Sequence, residues 1–501
     1  MTNTIGKSMF PLKSSYQLLS GLKLRYDQLQ VQLATGERHA NLAEMGSDRF
    51  FNLTMRARLD KLDGYSNTMK TVGLRLEVLD TTVSRLDKIQ STQRTSVTPG
   101  AYGTGNVNFA TTPSVARTAF DEVVDLLNAD VAGRYLFAGS KTDTEPVAKA
   151  ADLMDGVAGR AGFKQVAGER KLADRGADGL GRLTLSSAAN QVTLAEDGTH
   201  PFGLKLSTLS TSSADITLTQ PTGSPPSLGV SFGTPLPVAG STVTLSFTLP
   251  DGTSDAITLT ATTGTPGPGE FQIGATADAT ASNFAASLQT AIGSVADTTM
   301  AAASTYAAAD NFFNGQGTQV MRVDGPPFES ATALVQGTSS NTVLWYRGEN
   351  STNPRATVDA RVDDGTSVRY GAQANETGLA NLVRTLAAMA IETYPNSDTT
   401  SSKRFDAMAS RQLDRLSNER VNEPGSVKVI AVELSLAKVT MGNVEARQTA
   451  HKANLETMLA DIVAIPPEEV SVELLALKTR LEASYATTSM VSQLSLVNYL
   501  R

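Results

Sequence analysis

Between Leu62 and Leu86 the apolar residues Leu62, Tyr65, Met69, Val72, Leu76, Leu79, Val83 and Leu86 recur at alternating intervals of three and four. A stripe this narrow is a heptad seam, which needs a facing helix rather than a broad core. Arg75, Glu77, Asp80, Arg85, Asp87 and Lys88 fall mostly off it. No proline interrupts the stripe, so one helix is predicted over 51–96, with Gly64 and Gly73 each costing about 1 kcal/mol relative to Ala. Pro99-Gly100 predicts its end. A shorter seam precedes it, Leu19, Leu22, Tyr26, Leu29 and Leu33, closed by Gly36, and residues 36–50 read as a connector.

The other end of the chain repeats the rhythm. Ile430, Leu434, Ala437, Met441, Val444, Gln448, His451, Leu455, Met458, Ile462 and Ile465 form a long seam, which Pro466-Pro467 breaks. Val470, Leu474, Leu477, Leu481, Ser484, Thr488 and Val491 then resume it. Each end thus has a short outer seam and a long inner one. Pairing like with like brings the ends together and turns the middle into an insertion, because loop-closure entropy grows only logarithmically with length. The expected fold is α+β: paired N- and C-terminal long helices in a coiled-coil-like rod, with an inserted β-rich region of hairpins and helices. The expected partition is 1–35 with 467–501 as terminal helices, 36–150 with 403–466 as the rod, and 151–402 as an exposed insertion of two modules.

Within the middle, a helix is predicted at 114–130, capped by Ser114, with Ala119, Val123, Leu126 and Leu127 inward. Arg134 to Ala138 reads as a strand. Val243, Leu245, Phe247 and Leu249 alternate, Pro250-Asp251-Gly252-Thr253 turns, and Ile257, Leu259 and Ala261 return, which is a β-hairpin. Phe271 and Ile273 offer a short strand, and Phe284, Leu288 and Ile292 a helix opened near Thr280. A strand is read at 343–346. A second hairpin runs from Val358, Ala360 and Val362 through Asp363-Asp364-Gly365-Thr366 to Val368 and Tyr370. The helix of Leu379, Leu382, Val383, Leu386 and Met389 follows, then a linker at 395–402.

Composition narrows the chemistry. Among 501 residues the net charge is -7, which disfavours nonspecific nucleic-acid binding. There is no cysteine, so disulfides, thiol nucleophiles and cysteine-held metals are excluded. No apolar run reaches the length of a membrane span, and the first residues lack the apolar core of a secretory signal. They hold Lys7, Lys13, Lys23 and Arg25 with no acid before Asp27, a balance shared with transit peptides, yet they run straight into a heptad. His39, His200 and His451 are far apart. His451, with Gln448, reads as a polar register residue rather than a metal ligand. The sequence has no GxxxxGK[ST], GxSxG or HExxH motif, and the Asp-Gly segments read as turns rather than calcium loops. No catalytic residue, metal or cofactor is expected.

One segment is more specific. Gly133-Arg134-Tyr135-Leu136-Phe137-Ala138-Gly139-Ser140-Lys141-Thr142-Asp143-Thr144-Glu145-Pro146 resembles the stretch after the second N-terminal helix in the flagellin and hook-associated superfamily, most closely the hook-associated protein 3 (hook–filament junction) family. Gln32-Leu33-Ala34-Thr35-Gly36 and the tail from Ser484 to Leu500 fit the same superfamily. The resemblance covers 1–147 and 425–501. Many members carry an Asp-Asp-Pro or Asn-Pro element after Thr-Gly; here Leu42 to Asp48 stands there without proline.

The resemblance implies an extracellular structural subunit of the bacterial flagellum, not an enzyme, exported by type III secretion without a cleaved signal. It would self-associate in a ring or tube, meet another hook-associated protein on one side and flagellin on the other, and use an export chaperone. Neither nucleic acid nor membrane is an expected partner. A flagellin-type filament subunit is the alternative. The assembly seams would be those named above, and Gly133, Arg134, Tyr135, Phe137 and Gly139 carry the motif. The sequence supplies its own reason for assembly: helices this short are marginal alone, so neighbours must provide contacts.

Overall fold

Both heptad-bearing ends are helical. The structure, a computed structural model, describes residues 10–101, 109–314, 319–417 and 422–499. It is mixed α/β, 53% helical and 17% strand, so helix dominates while the strands form several small sheets. The chain divides into two compact units.

The first unit holds the chain up to Thr71, Arg361–Ser367, and everything from Thr440 onward. α1 (Phe10–Thr35) ends where Gly36 adopts φ +70°, its N–H donating to Gln32 O. α2 (Asp48–Ala101) begins in this unit and runs past its expected end, through Pro99. The unit also contains the last turns of α10 and all of α11, whose ranges follow below. Its loops are tied by backbone bonds: Arg38 N–H donates to Val463 O at 2.7 Å and Ile465 N–H to Gly36 O at 3.1 Å.

The second unit spans Val72–Ala360 and Val368–Val439. Here α2 buries Val72, Leu76, Leu79, Val83 and Leu86, each at most 2% exposed. α3 (Thr112–Leu127) starts two residues earlier than read. Pro113 occupies its first turn, and the Ser114 hydroxyl donates to Thr111 O instead of capping. The strand read at 134–138 shrinks to a two-residue ladder of β1 (Asp130–Val131) and β2 (Arg134–Tyr135), because Phe137 and Ala138 are wholly buried in irregular backbone. α4 (Ala150–Asp155) and α5 (Phe163–Arg175) follow.

Two four-stranded sheets come next. β3 (Leu183–Ala188), β4 (Gln191–Glu196), β6 (Ile216–Thr222) and β7 (Ser227–Phe232) form one, in the order β3-β4-β7-β6. β5 (Lys205–Thr211), β8 (Thr242–Thr248), β9 (Ser254–Thr262) and β10 (Glu270–Gln272) form the other, in the order β10-β9-β8-β5. The hairpin read at 243–261 is β8–β9, and β10 carries Phe271 parallel to β9. α6 (Ala277–Val295) lays Phe284, Leu288 and Ile292 into the core shared by both sheets. Its cap is Thr276, whose side chain accepts from Ala279 N–H at 3.1 Å; Thr280, expected near the helix start, is buried in the first turn. Thr276→Ala is expected to lower stability by about 1 kcal/mol in chemical denaturation.

One π turn (Ala296–Met300) leads into α7 (Ala301–Phe312). Short ladders of β11 (Met321–Val323) with β12 (Leu334–Gln336), and of β13 (Asp359–Arg361) with β14 (Ser367–Arg369), interrupt the remaining loops. The strand expected at 343–346 is absent. Trp345 and Tyr346 are buried there, and isolated bridges such as Val147 with Tyr346 replace a ladder. α8 (Thr377–Ala390) packs on α3, and α9 (Ser401–Arg415) starts inside the expected linker. α10 (Val427–Val463) and α11 (Pro467–Tyr499) close the chain, divided at Pro466-Pro467 as read.

Candidate functional site

The outer helices meet through the residues that the seam selected. In the first unit Leu29, Val470, Leu477 and Leu481 are buried together, with Leu19, Leu22, Tyr26, Leu474 and Ile465 packed against them. Arg25 Nη2 lies 2.9 Å from Glu473 Oε1, a link between α1 and α11. Both side chains are more than 40% exposed, so the pair is worth well under about 1 kcal/mol. Leu33 is a correction: it is exposed, and Gln32 is buried instead, its amide donating to Arg38 O at the helix end.

The inner helices meet through Met55, Leu62 and Leu455, flanked by Leu59, Leu459 and Ile462. Met69, in the same unit, is buried, as is Met441. Met458 and His451 are corrections, because both are exposed while Leu455 is buried and Leu459 and Ile462 pack against it. The cause is geometric. A straight helix drifts about 20° per heptad from a strict seven-residue repeat, so over four heptads the inward face moves nearly one residue. Leu459, eleven residues after Gln448, packs inward where Met458 was expected. Leu434, in the second unit, is buried.

These terminal helices carry a second set of apolar side chains. Tyr16, Leu18, Leu24 and Val31 on α1 are exposed, Leu24 at 71%. On α11 so are Val472, Leu475, Tyr485 and Met490, Val472 at 71%. A helix apolar on more than one side is ordinarily covered on more than one side.

The Gly133–Pro146 segment lies in the second unit and does structural work. Ala132 and Gly133 both adopt positive φ, forming the tight turn between β1 and β2, and Gly133 N–H donates to Asp130 Oδ2 at 2.8 Å. Arg134 is exposed and Tyr135 half-buried. Phe137 is fully buried. Gly139 has φ +64° and a Cβ there would come within 2.9 Å of Glu349, so glycine is required. Ser140 N–H donates to Glu349 Oε2 at 2.8 Å, and the hydrogen bonds from Ser140 hold that carboxyl below its usual range. Asn128, which the sequence did not single out, clamps Val147 through both its amide groups, at 2.9 and 3.0 Å.

A cavity of about 400 Å³ in the second unit is lined by Asn350, Asn353, Arg355, Glu376 and Glu433. Its charges satisfy one another. Arg355 pairs with Glu376, and its Nε lies 3.0 Å from Glu433 Oε2. Burial pushes the Glu376 carboxyl up despite Arg355. Among the described residues no three His, Cys, Asp or Glu side chains gather as a metal site, and no helix is long and apolar enough to cross a membrane. Compared with known proteins, the chain matches no family model and no curated protein sequence.

Proposed function

We propose that this chain is a structural subunit of the bacterial flagellum, joining a hook-associated protein to the flagellin filament by self-association through its terminal helices. The motif at 133–146 and the paired outer and inner seams carry the resemblance. The observation that favours assembly is the exposed apolar set on α1 and α11, present although the same helices already bury Leu29 and Val470 against each other. The 71% exposed Leu24 and Val472 would be covered by identical copies. On this reading the subunit lies outside the cell, the 151–402 region faces solvent, and an export chaperone covers the apolar ends before assembly.

Immunogold electron microscopy tests the assignment. A thin band at the hook tip supports a junction protein, and label along the whole filament supports the flagellin-type alternative. Absence from flagella rejects both. A second measurement addresses assembly alone: Leu24→Asp with Val472→Asp is expected to leave monomer helicity unchanged and abolish polymers in sedimentation. Polymers forming normally would reject the role of this surface. A third follows from marginal helix stability. Amides of 16–35 and 467–490 are expected to exchange quickly in the monomer and slowly in the assembly, and protection already complete in the monomer would count against the reading.

A further inference from the structure

Asp363 and Asp364 stand side by side at the tip of the β13–β14 hairpin, in the part of it that belongs to the first unit. The turn is closed by Val362 and Asp363 N–H donating to Thr366 O, at 3.0 and 3.1 Å. The two carboxylates diverge to different helices. Asp364 Oδ1 accepts from the Tyr65 hydroxyl at 2.9 Å and pairs with Lys61, both on α2. Asp363 pairs with Arg447 on α10. Beside Arg447, the buried Gln448 donates its amide to Val362 O at 2.6 Å. Arg361 Nη2 lies 3.8 Å from Asp364, and Lys452 joins Asp63 directly between the helices. The apolar cluster between α2 and α10 in this unit is narrow: Met55, Leu62 and Leu455 are buried together, and Met69, Met441 and Val444 are buried further along the same helices.

We propose that the hairpin tip is an electrostatic clip that holds residues 48–71 of α2 to residues 440–463 of α10. A small apolar contact between two helices leaves their ends free to fray. A third element that grips both helices by charge and by a backbone carbonyl, with Val362 buried at its base, restrains that fraying. The role is independent of whether the chain assembles.

The ionisation states agree with this geometry. The hydrogen bond from Lys61, then that from Tyr65, holds Asp364 below the usual carboxylate range. The Asp364 backbone N–H, then Arg447, does the same for Asp363. A carboxyl lowered in the folded state stabilises above its unfolded pKa, about 3.9, and loses that contribution as pH falls through the lower folded value. Lys61 is raised by its hydrogen bond with Asp364, so its contribution fades only as pH rises through that raised value. The clip is therefore closed across neutral pH and opens in acid.

Hydrogen exchange on the full chain tests it. The pairs are solvent-exposed, Lys61 at 53% and Asp364 at 65%, so the effect is modest: with Asp363→Asn and Asp364→Asn together, amides of 48–71 and 440–463 are expected to exchange about two- to fivefold faster, while the 183–295 strands and helix keep their protection. Unchanged exchange in the two helices overturns the clip, and so does equal acceleration throughout, which would mean general unfolding. The reciprocal pair Lys61→Asp with Asp364→Lys is expected to recover protection lost in Asp364→Lys alone. Failure to recover it also overturns the proposal.

Discussion

A chain cut after Ile465 is expected to lose assembly completely and to lose the helicity of α1 together with that of the removed α11. The reason lies in their shared core. Leu29 is buried among Val470, Leu477 and Leu481, and Leu19, Leu22 and Tyr26 lean on the same cluster. Without those partners α1 is a single helix of 26 residues exposing both its apolar sides. A lone helix of mixed sequence is marginal in water. The Met55, Leu62 and Leu455 contact involves neither outer helix, so α2 and α10 should persist. Far-UV circular dichroism reports the lost helix, electron microscopy the lost polymers, and thermal unfolding the rest of the fold. Polymers formed by the shortened chain, or a loss of helical signal no larger than the removed residues account for, would refute the expectation.

Arg411→Leu should produce the largest stability loss of any single substitution considered. Arg411 Nε donates to Asp251 Oδ2 at 2.7 Å, and Nη2 to Thr253 Oγ1 at 3.1 Å, at the turn between β8 and β9. The Asp251 side chain is 2% exposed and that of Arg411 12%. Removing the cation strands a buried carboxylate, at a cost of about 3–5 kcal/mol at pH 7.

The pH dependence should change sign. In the native chain burial pushes the Asp251 carboxyl up, but Arg411 and Thr253 together bring it below its ordinary value. It therefore stabilises above the unfolded pKa, and that contribution disappears as pH falls through the lowered one. Without Arg411 burial dominates and the pKa rises, so the variant recovers stability as pH falls from 7 toward 4. Asp251→Asn in the Arg411→Leu background should restore part of the loss at pH 7. Denaturant titrations at the two pH values check both statements, and a stability deficit of the same size at each would contradict them.

Periodicity made the helical ends legible. Every residue of the Leu62–Leu86 stripe is buried except the half-buried Tyr65, and Thr82 is buried beside it. The same heptad rule failed at His451 and Met458 because a strict seven-residue repeat outruns a straight helix. The β8–β9 hairpin was legible because Val243, Leu245 and Phe247 alternate and Asp251-Gly252 turns. Strands β3, β4, β6 and β7 were not read. Their inward residues, such as Val192, Leu194, Val230 and Phe232, are few and set among Thr, Ser and Gly, so alternation is faint in each and emerges only across the sheet. Trp345 and Tyr346 misled in the opposite way: a short apolar run shows burial but not strand pairing. Pairs such as Arg411 with Asp251 leave no local signal at all. Of the candidate surface, the inward seam was legible, while the outward apolar set on α1 and α11 became visible only once the first face was known to be covered.

The two-sheet region begins and finishes at one point. A Cβ at Gly181, just ahead of β3, would lie 3.0 Å from both Leu204 and the sulfur of Met300, which closes the π turn after α6. The chain thus enters and leaves this region at neighbouring positions. A few residues could join the two ends, but that excision would also remove Asp251 and leave Arg411 without its carboxylate, so a shortened chain would need an apolar residue at 411.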